Sequence, residues 1–398
     1  MPPKRTALLL SILALALLSG CWSRKEINEI QIITGVGIDK VDEVYLLTLQ
    51  AANAGAISPM GGGRQSATVN TFEMRAESVM KAMRKLTTIS PREMYFSHIR
   101  ALVIGESVAR DGVRDVLDVF LRDYQFRPDF YVLVTKEVRA NEVMNVLSPL
   151  EPIPANKLFK TLETAQQYWA PAIGVHLDHF VDDLIREGVE PVLQGVTISG
   201  EPSKGKTTDN IKMTLPDTYL KFGKLGVFRN DRLVGWLNEE ESAGYNYIVN
   251  DVEGTVSVLP CESGGQVAIE TIRSRTKLTG SVAGGKPEMI VEIWAEGNVG
   301  DVECRIDLSK TRSIYELERK AEQSIKHAVD MAVKAARDTY KSDIFGFGQT
   351  LYRDRPKEWK KMKPNWEKVY PTVSVSTKVD VKLRRSGKIG KSFIQEMK

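Results

Sequence analysis

The chain has 398 residues, 42 % hydrophobic and 27 % charged, a globular composition too long for one ordinary core. Lys and Arg number 55 against 51 Asp and Glu, giving a formal charge of +4. That balance excludes the strongly basic surface that nucleic-acid binding requires.

Met1 to Gly20 open with a basic flank, Lys4 and Arg5, and continue in an apolar run from Ala7 to Leu18. A permanent span needs roughly 20 apolar residues, so residues 1–20 read as a leader that is removed. The leader ends Leu18-Ser19-Gly20-Cys21, the small-residue run before cysteine that lipoprotein processing requires, with cleavage between Gly20 and Cys21. Cys21 then becomes a lipid-bearing N-terminus and residues 21–30 a tether. One diacylglyceryl group with an amide-linked chain supplies the two acyl anchors of stable attachment. Beyond the leader no apolar stretch approaches a membrane span.

Ile30–Asp39 and Tyr45–Gln50 are rich in β-branched and apolar residues and predict a hairpin or meander. Ala54–Ser66, with Gly55, Pro59, Gly61, Gly62 and Gly63, reads as a loop, and it lacks the Lys-Ser/Thr of a phosphate cradle. A strand at 68–74, a helix at 78–86, a strand at 94–104 and a helix at 106–123 follow. A strand at 130–135, helices at 141–146, 155–168 and 176–186, and a strand at 191–199 complete an N-terminal α+β region, 31–200, expected as two domains. Residues 201–215 read as a polar linker to a C-terminal α+β domain, 216–398.

The C-terminal domain opens with a hairpin over Leu225–Trp236 that turns at Asn230-Asp231, residues that tolerate positive φ. Strands are expected at 255–259, 266–276, 289–296 and 302–308. Ser313-Ile-Tyr-Glu316 has the spacing of a capping box, and the helix behind it, to about Lys341, would be roughly 40 Å long. Val373, Val375, Val379, Val381 and Leu383 alternate with polar residues and predict a last strand with one buried face. The fold class is α+β, with mixed or antiparallel sheets flanked by helices.

Candidate chemistry is sparse. His176, His179 and Asp183 share one helix face, but no zincin pattern accompanies them, and a solvated face explains them better than a metal. Glu239, Glu240 and Glu241 resemble a glycosidase cluster, yet they follow Asn238, a good N-cap, where acids suit the helix dipole. His98 reads as a partly buried structural histidine. Lys357, Lys360, Lys361, Lys363, Lys382, Arg384 and Arg385 read as a solvated basic face, and Trp359 and Trp366 as core or as a docking patch. Cys261 and Cys304 form a possible disulfide in an extracytoplasmic compartment.

Gly20-Cys21-Trp22 with Arg24, Glu26 and Ile27, then Gly37-Ile38-Asp39, Phe96–Val113, Arg122 and Arg127-Pro128 form an ordered series of motifs. Gly226–Tyr245, Asp343–Gly348, Trp359 and Trp366 extend it through the C-terminal half. In order and spacing they resemble the Ger(x)C family, the lipoprotein C subunits of spore germinant receptors. Ser23 departs from the Asp usual there, and Cys261 and Cys304 lie outside the pattern. The resemblance implies a three-domain α+β protein held by lipid on the outer face of the spore inner membrane. It also implies two integral membrane partners of A and B type, no cofactor and no catalytic activity. The alternatives are an exported solute-binding lipoprotein and, less favoured, a cell-wall enzyme.

Overall fold

The computed structural model describes residue 26 and residues 28–53, 67–262 and 264–385. Gly20, Cys21 and the loop expected at 54–66 lie outside these residues.

The first strand, β1 (Ile30–Val41), is buried along most of its length. Near-continuous burial marks a strand covered on both faces, and β1 sits inside a nine-stranded sheet. β2 (Val44–Ala52) returns antiparallel through a two-residue turn in which Asp42 and Glu43 take positive φ, 50° and 63°. β3 (Val69–Ala76) adds the outer strand, and α1 (Val79–Leu86) is capped by the Ser78 hydroxyl.

The strand expected over 94–104 is two. β4 (Glu93–Tyr95) and β5 (Ala101–Ile104) both pair parallel to β1, and the turn between them buries Phe96 and Ile99. The helix expected over 106–123 is also two, α2 (Glu106–Asp111) and α3 (Arg114–Arg122). Gly112, with φ 134°, breaks the path that one helix would need.

β6 (Tyr131–Thr135) and β7 (Val192–Ser199) extend the parallel core. Between them run α4 (Ala140–Met144), α5 (Pro154–Tyr168) and α6 (Leu177–Ile185). One apolar core joins α1, α2, α3 and α6 to one face of the sheet, and a second joins α4 and α5 to the other. Parallel strands need such crossovers.

Residues 201–215 form two single helical turns, and the sheet continues across them. β8 (Tyr219–Arg229) pairs antiparallel with β7, and β9 (Arg232–Leu237) pairs antiparallel with β8 to make the predicted hairpin, with Asn230 at φ 53°. The strands on either side of the expected linker therefore share one sheet.

α7 (Glu239–Val249) starts at Asn238, whose side chain and that of Glu241 close a capping box. A second sheet has the order β10 (Thr255–Pro260), β11 (Gln266–Ala283), β12 (Lys286–Val302) and β13 (Ser374–Arg385). β11 and β12 are longer than expected, and no strand forms at 302–308, because the chain turns at Cys304 towards the next helix. That helix, α8 (Thr311–Lys334), continues into a π-helical turn at Ala335–Tyr340. It begins before Ser313, so the predicted capping box does not form, and Glu316 accepts from Arg312 at 2.9 Å instead. α9 (Phe347–Asp354) and α10 (Pro356–Met362) lead back to β13, which lies parallel to β12.

The two sheets share a core. Val192, Leu225, Val227 and Leu237 of the first lie in one apolar cluster with Met289, Val291 and Ile293 of the second and Leu317, Ile325 and Val329 of α8.

Candidate functional site

A cavity of about 490 Å³ opens between the parallel core and the C-terminal half. Its floor is the end of β6, where Tyr131 bridges to His176 and the two rings lie 4.3 Å apart. His176 occupies the N-cap position of α6, and His179 and Asp183 follow on the face that lines the cavity. The helical spacing read from sequence thus places all three on one wall. Among the described residues no group of three or more His, Cys, Asp or Glu side chains converges to hold a metal ion.

The facing wall comes from α7 and the residues after it. Tyr245 is buried on α7, and Asn250 ends the helix in the left-handed region, at φ 64°, which turns Asp251 back towards the cavity. Gln166 of α5 donates to the Asp251 carboxylate at 2.9 Å. Burial pushes Asp251 up to about 6 and also raises Asp183, whose nearest cation is Arg186 at 3.9 Å. Asp251, Gln166 and Tyr131 escaped the sequence reading, because they come from separate segments and carry no local motif, while Tyr245 closes the Gly226–Tyr245 motif without being marked as a site residue.

Beside the cavity lies a joint of polar contacts between the two halves, buried at Asp343 and partly exposed elsewhere. The Asp343 carboxylate accepts from the backbone N–H groups of Phe347 at 3.0 Å and Gly348 at 2.8 Å and from Trp366 Nε1 at 2.9 Å. Burial raises it to about 6. Glu190 donates its backbone N–H to the Asp343 carbonyl at 2.9 Å, and its carboxylate accepts from Asn230 N–H at 2.6 Å. Burial, the first cause, brings Glu190 to about 7. Tyr340 donates its hydroxyl to the Trp236 carbonyl at 2.7 Å, and Trp236 Nε1 reaches Glu106 at 3.2 Å. The C-terminal motifs singled out in the sequence therefore meet at this joint.

Other sequence candidates have structural surroundings. Trp359 and Trp366 are buried and pack edge to face, 5.1 Å apart, so core packing holds and the docking patch does not. Glu239, Glu240 and Glu241 occupy the first turn of α7, where Glu241 accepts from Asn238 N–H at 2.8 Å and Glu240 lies 3.7 Å from His327. His98 is exposed rather than partly buried, in the turn between β4 and β5. Of the basic residues, Lys363 pairs with Glu187 at 2.5 Å, Lys382 with Asp380 at 2.7 Å and Arg384 with Glu296 at 2.7 Å. Cys261 and Cys304 sit with Cα atoms 6.4 Å apart and their sulfurs at bonding distance, within reach of a disulfide.

Two family models match the chain. The spore germination protein N-terminal domain covers residues 23–198, and the spore germination B3/GerAC-like C-terminal domain covers 223–387. Spore germination protein KC of Bacillus subtilis (strain 168) is 28 % identical over 386 residues, covering 95 % of this chain and 95 % of the relative. Spore germination protein A3 of the same organism is 24 % identical, covering 94 % and 96 %. The crystal structure of the GerBC protein superposes with a TM-score of 0.55 at 19 % identity, covering 88 % of this chain and 96 % of that one, a likeness of fold.

Proposed function

The chain belongs to the GerAC-like family of spore germination proteins, whose two domain models together span most of it, and from that premise we propose that it is the lipid-anchored, non-enzymatic subunit of a nutrient germinant receptor. Cys21 carries the lipid and holds the folded halves at the outer face of the spore inner membrane, beside two integral membrane subunits of A and B type. The observation that carries this reading is that the likeness to named spore germination proteins runs through nearly the whole of both partners.

The geometry supports it in two ways. Glu239, Glu240 and Glu241, the residues that a cell-wall enzyme would use, serve the start of α7. From Cys21 to Ile30 a chain extends no more than roughly 30 Å, so the lipid confines the domains to a thin layer. Confinement raises their effective concentration beside the membrane subunits. The subunit then biases the receptor by binding its resting and triggered states with unequal affinity, since equal affinity shifts nothing.

The test uses spores that lack this gene, complemented with the natural chain or with Cys21→Ala. Germination is scored over a nutrient panel together with retention of the protein in membranes. Loss of response to one nutrient class, with Cys21→Ala released and poorly active, is the expected result. Normal germination of a strain deleted for this gene and for its paralogues would overturn the receptor role.

A further inference from the structure

The cavity between the two halves carries negative charge that no lysine or arginine among its described lining residues neutralises. Among the described residues the only side-chain hydrogen-bond partner of Asp251 is a neutral amide, Gln166. Asp183 has Arg186 no nearer than 3.9 Å, and that guanidinium also donates to Asp182 at 3.3 Å and lines a neighbouring groove. Tyr245 is 7 % exposed. Its hydroxyl feels the charge of both carboxylates and has no hydrogen-bond partner among the described residues. The ring is buried while the hydroxyl opens to the cavity, so this side of the cavity brings together two under-compensated carboxylates and a hydroxyl that no group among the described residues occupies.

We propose that the cavity binds a small organic cation, an alkylammonium or amidinium group held by Asp183 and Asp251 with its carbon skeleton against the rings of Tyr131, Tyr245 and Phe345. Its volume, about 490 Å³, suits a compact ligand. Charge-assisted hydrogen bonds to both carboxylates would offset the burial that now disfavours their ionised forms. The aromatic rings add attraction for a cation over their faces. The same lining dictates what is rejected: a ligand that also carries a carboxylate finds no fixed cation to receive it. An amine should therefore bind more tightly than the amino acid built on the same skeleton. This inference stands apart from the receptor reading, because it concerns the soluble halves alone.

The experiment is calorimetric titration of the full mature chain carrying Cys21→Ala with 1,4-diaminobutane and phenethylamine, beside 4-aminobutyrate and phenylalanine. The amines should bind saturably and the zwitterions at least about tenfold more weakly. Asp251→Asn and Asp183→Asn should each weaken the amines by roughly tenfold or more, the worth of a charge-assisted contact, while the unliganded thermal transition stays in place. Should either variant misfold, NMR of the histidine ring protons in the otherwise natural chain reads the same event, since amine binding must shift His176 and His179. Absence of saturable binding would overturn the proposal. So would zwitterions that bind as tightly as the amines, or amine binding that leaves both histidines unmoved.

Discussion

Glu190 and Asp343 show how single carboxylates at the joint tie stability to pH. Asp343 satisfies three N–H donors at a buried position. Asp343→Ala leaves those donors unpaired and should cost about 3 kcal/mol or more in denaturant unfolding; a loss below about 1 kcal/mol would mean that the donors find other partners. Glu190 behaves differently. Its carboxyl is raised from 4.5 to about 7, with burial as the first cause. An acid whose folded value lies above its unfolded value contributes stability that is complete below the unfolded value and is lost as pH rises through the folded one. The window here runs from near 4.5 to about 7. Glu190→Gln keeps an acceptor for Asn230 and removes the titration. Measured by urea unfolding at about pH 5 and about pH 8, the variant should gain on the natural chain by about 1–2 kcal/mol, after allowance for partial solvent screening. Parallel stability at both pH values would contradict this.

Among the elements, α7 and α8 set the packing of the C-terminal half. A Cβ on Gly244 of α7 would lie 2.1 Å from the Ala328 carbonyl oxygen of α8. That neighbour is backbone and cannot swing aside, so Gly244→Ala should cost about 1–3 kcal/mol by forcing the helices apart, read as a lowered thermal midpoint. Cys261 and Cys304 tie the end of β10 to the turn after β12 across a separation of 43 residues. We propose that they are oxidised in the exported protein. Intact mass before and after reduction and alkylation reports the bond, and Cys304→Ser should cost about 2–4 kcal/mol. Elements with a repeating pattern were legible in the sequence: the alternation of β13, the apolar stripe of α8, the Asn230 turn and the cap at Asn238. The breaks at 96–100 and at Gly112 were not. A turn that buries Phe96 and Ile99 keeps the composition of a strand, and one glycine at positive φ has no periodicity to betray it. Ser313 had the right spacing but the wrong place, because the backbone turn at Lys310 had already started α8. The cavity was half legible. His176, His179 and Asp183 share a helix and could be grouped by spacing, whereas Tyr131, Gln166, Tyr245 and Asp251 meet only through the tertiary fold.

With Cys21 lipidated as proposed, the end of the sheet where β1 begins is the end held nearest the bilayer. Ile30 pairs with Glu93 of β4, and Phe96, just after β4, packs on Phe126 at 4.9 Å. The loops around residues 87–92, 96–100 and 123–130 therefore gather at the end of the sheet where β1 begins. That end exposes Tyr124 at 93 %, Ile89 at 51 % and Leu121 at 50 %, and tyrosine with aliphatic side chains suits the headgroup layer. Within these loops Arg92, Arg100 and Arg127 stand against Asp123 and Asp129, and Arg127 lies 3.1 Å from Asp129, so their net charge is small and contact should depend little on salt. The opposite end of β1, at Glu43, lies roughly 40 Å away at the rise of a strand, beyond the span of the tether. With the chain lipidated at Cys21, a cysteine placed by Tyr124→Cys should react slowly with a membrane-impermeant maleimide, and one placed by Glu43→Cys should react freely. Release through Cys21→Ala should restore Tyr124→Cys to the Glu43→Cys rate. Equal rates at the two ends of the anchored protein would overturn this orientation while leaving the anchor itself in place, and membrane retention measured on the same samples separates the two.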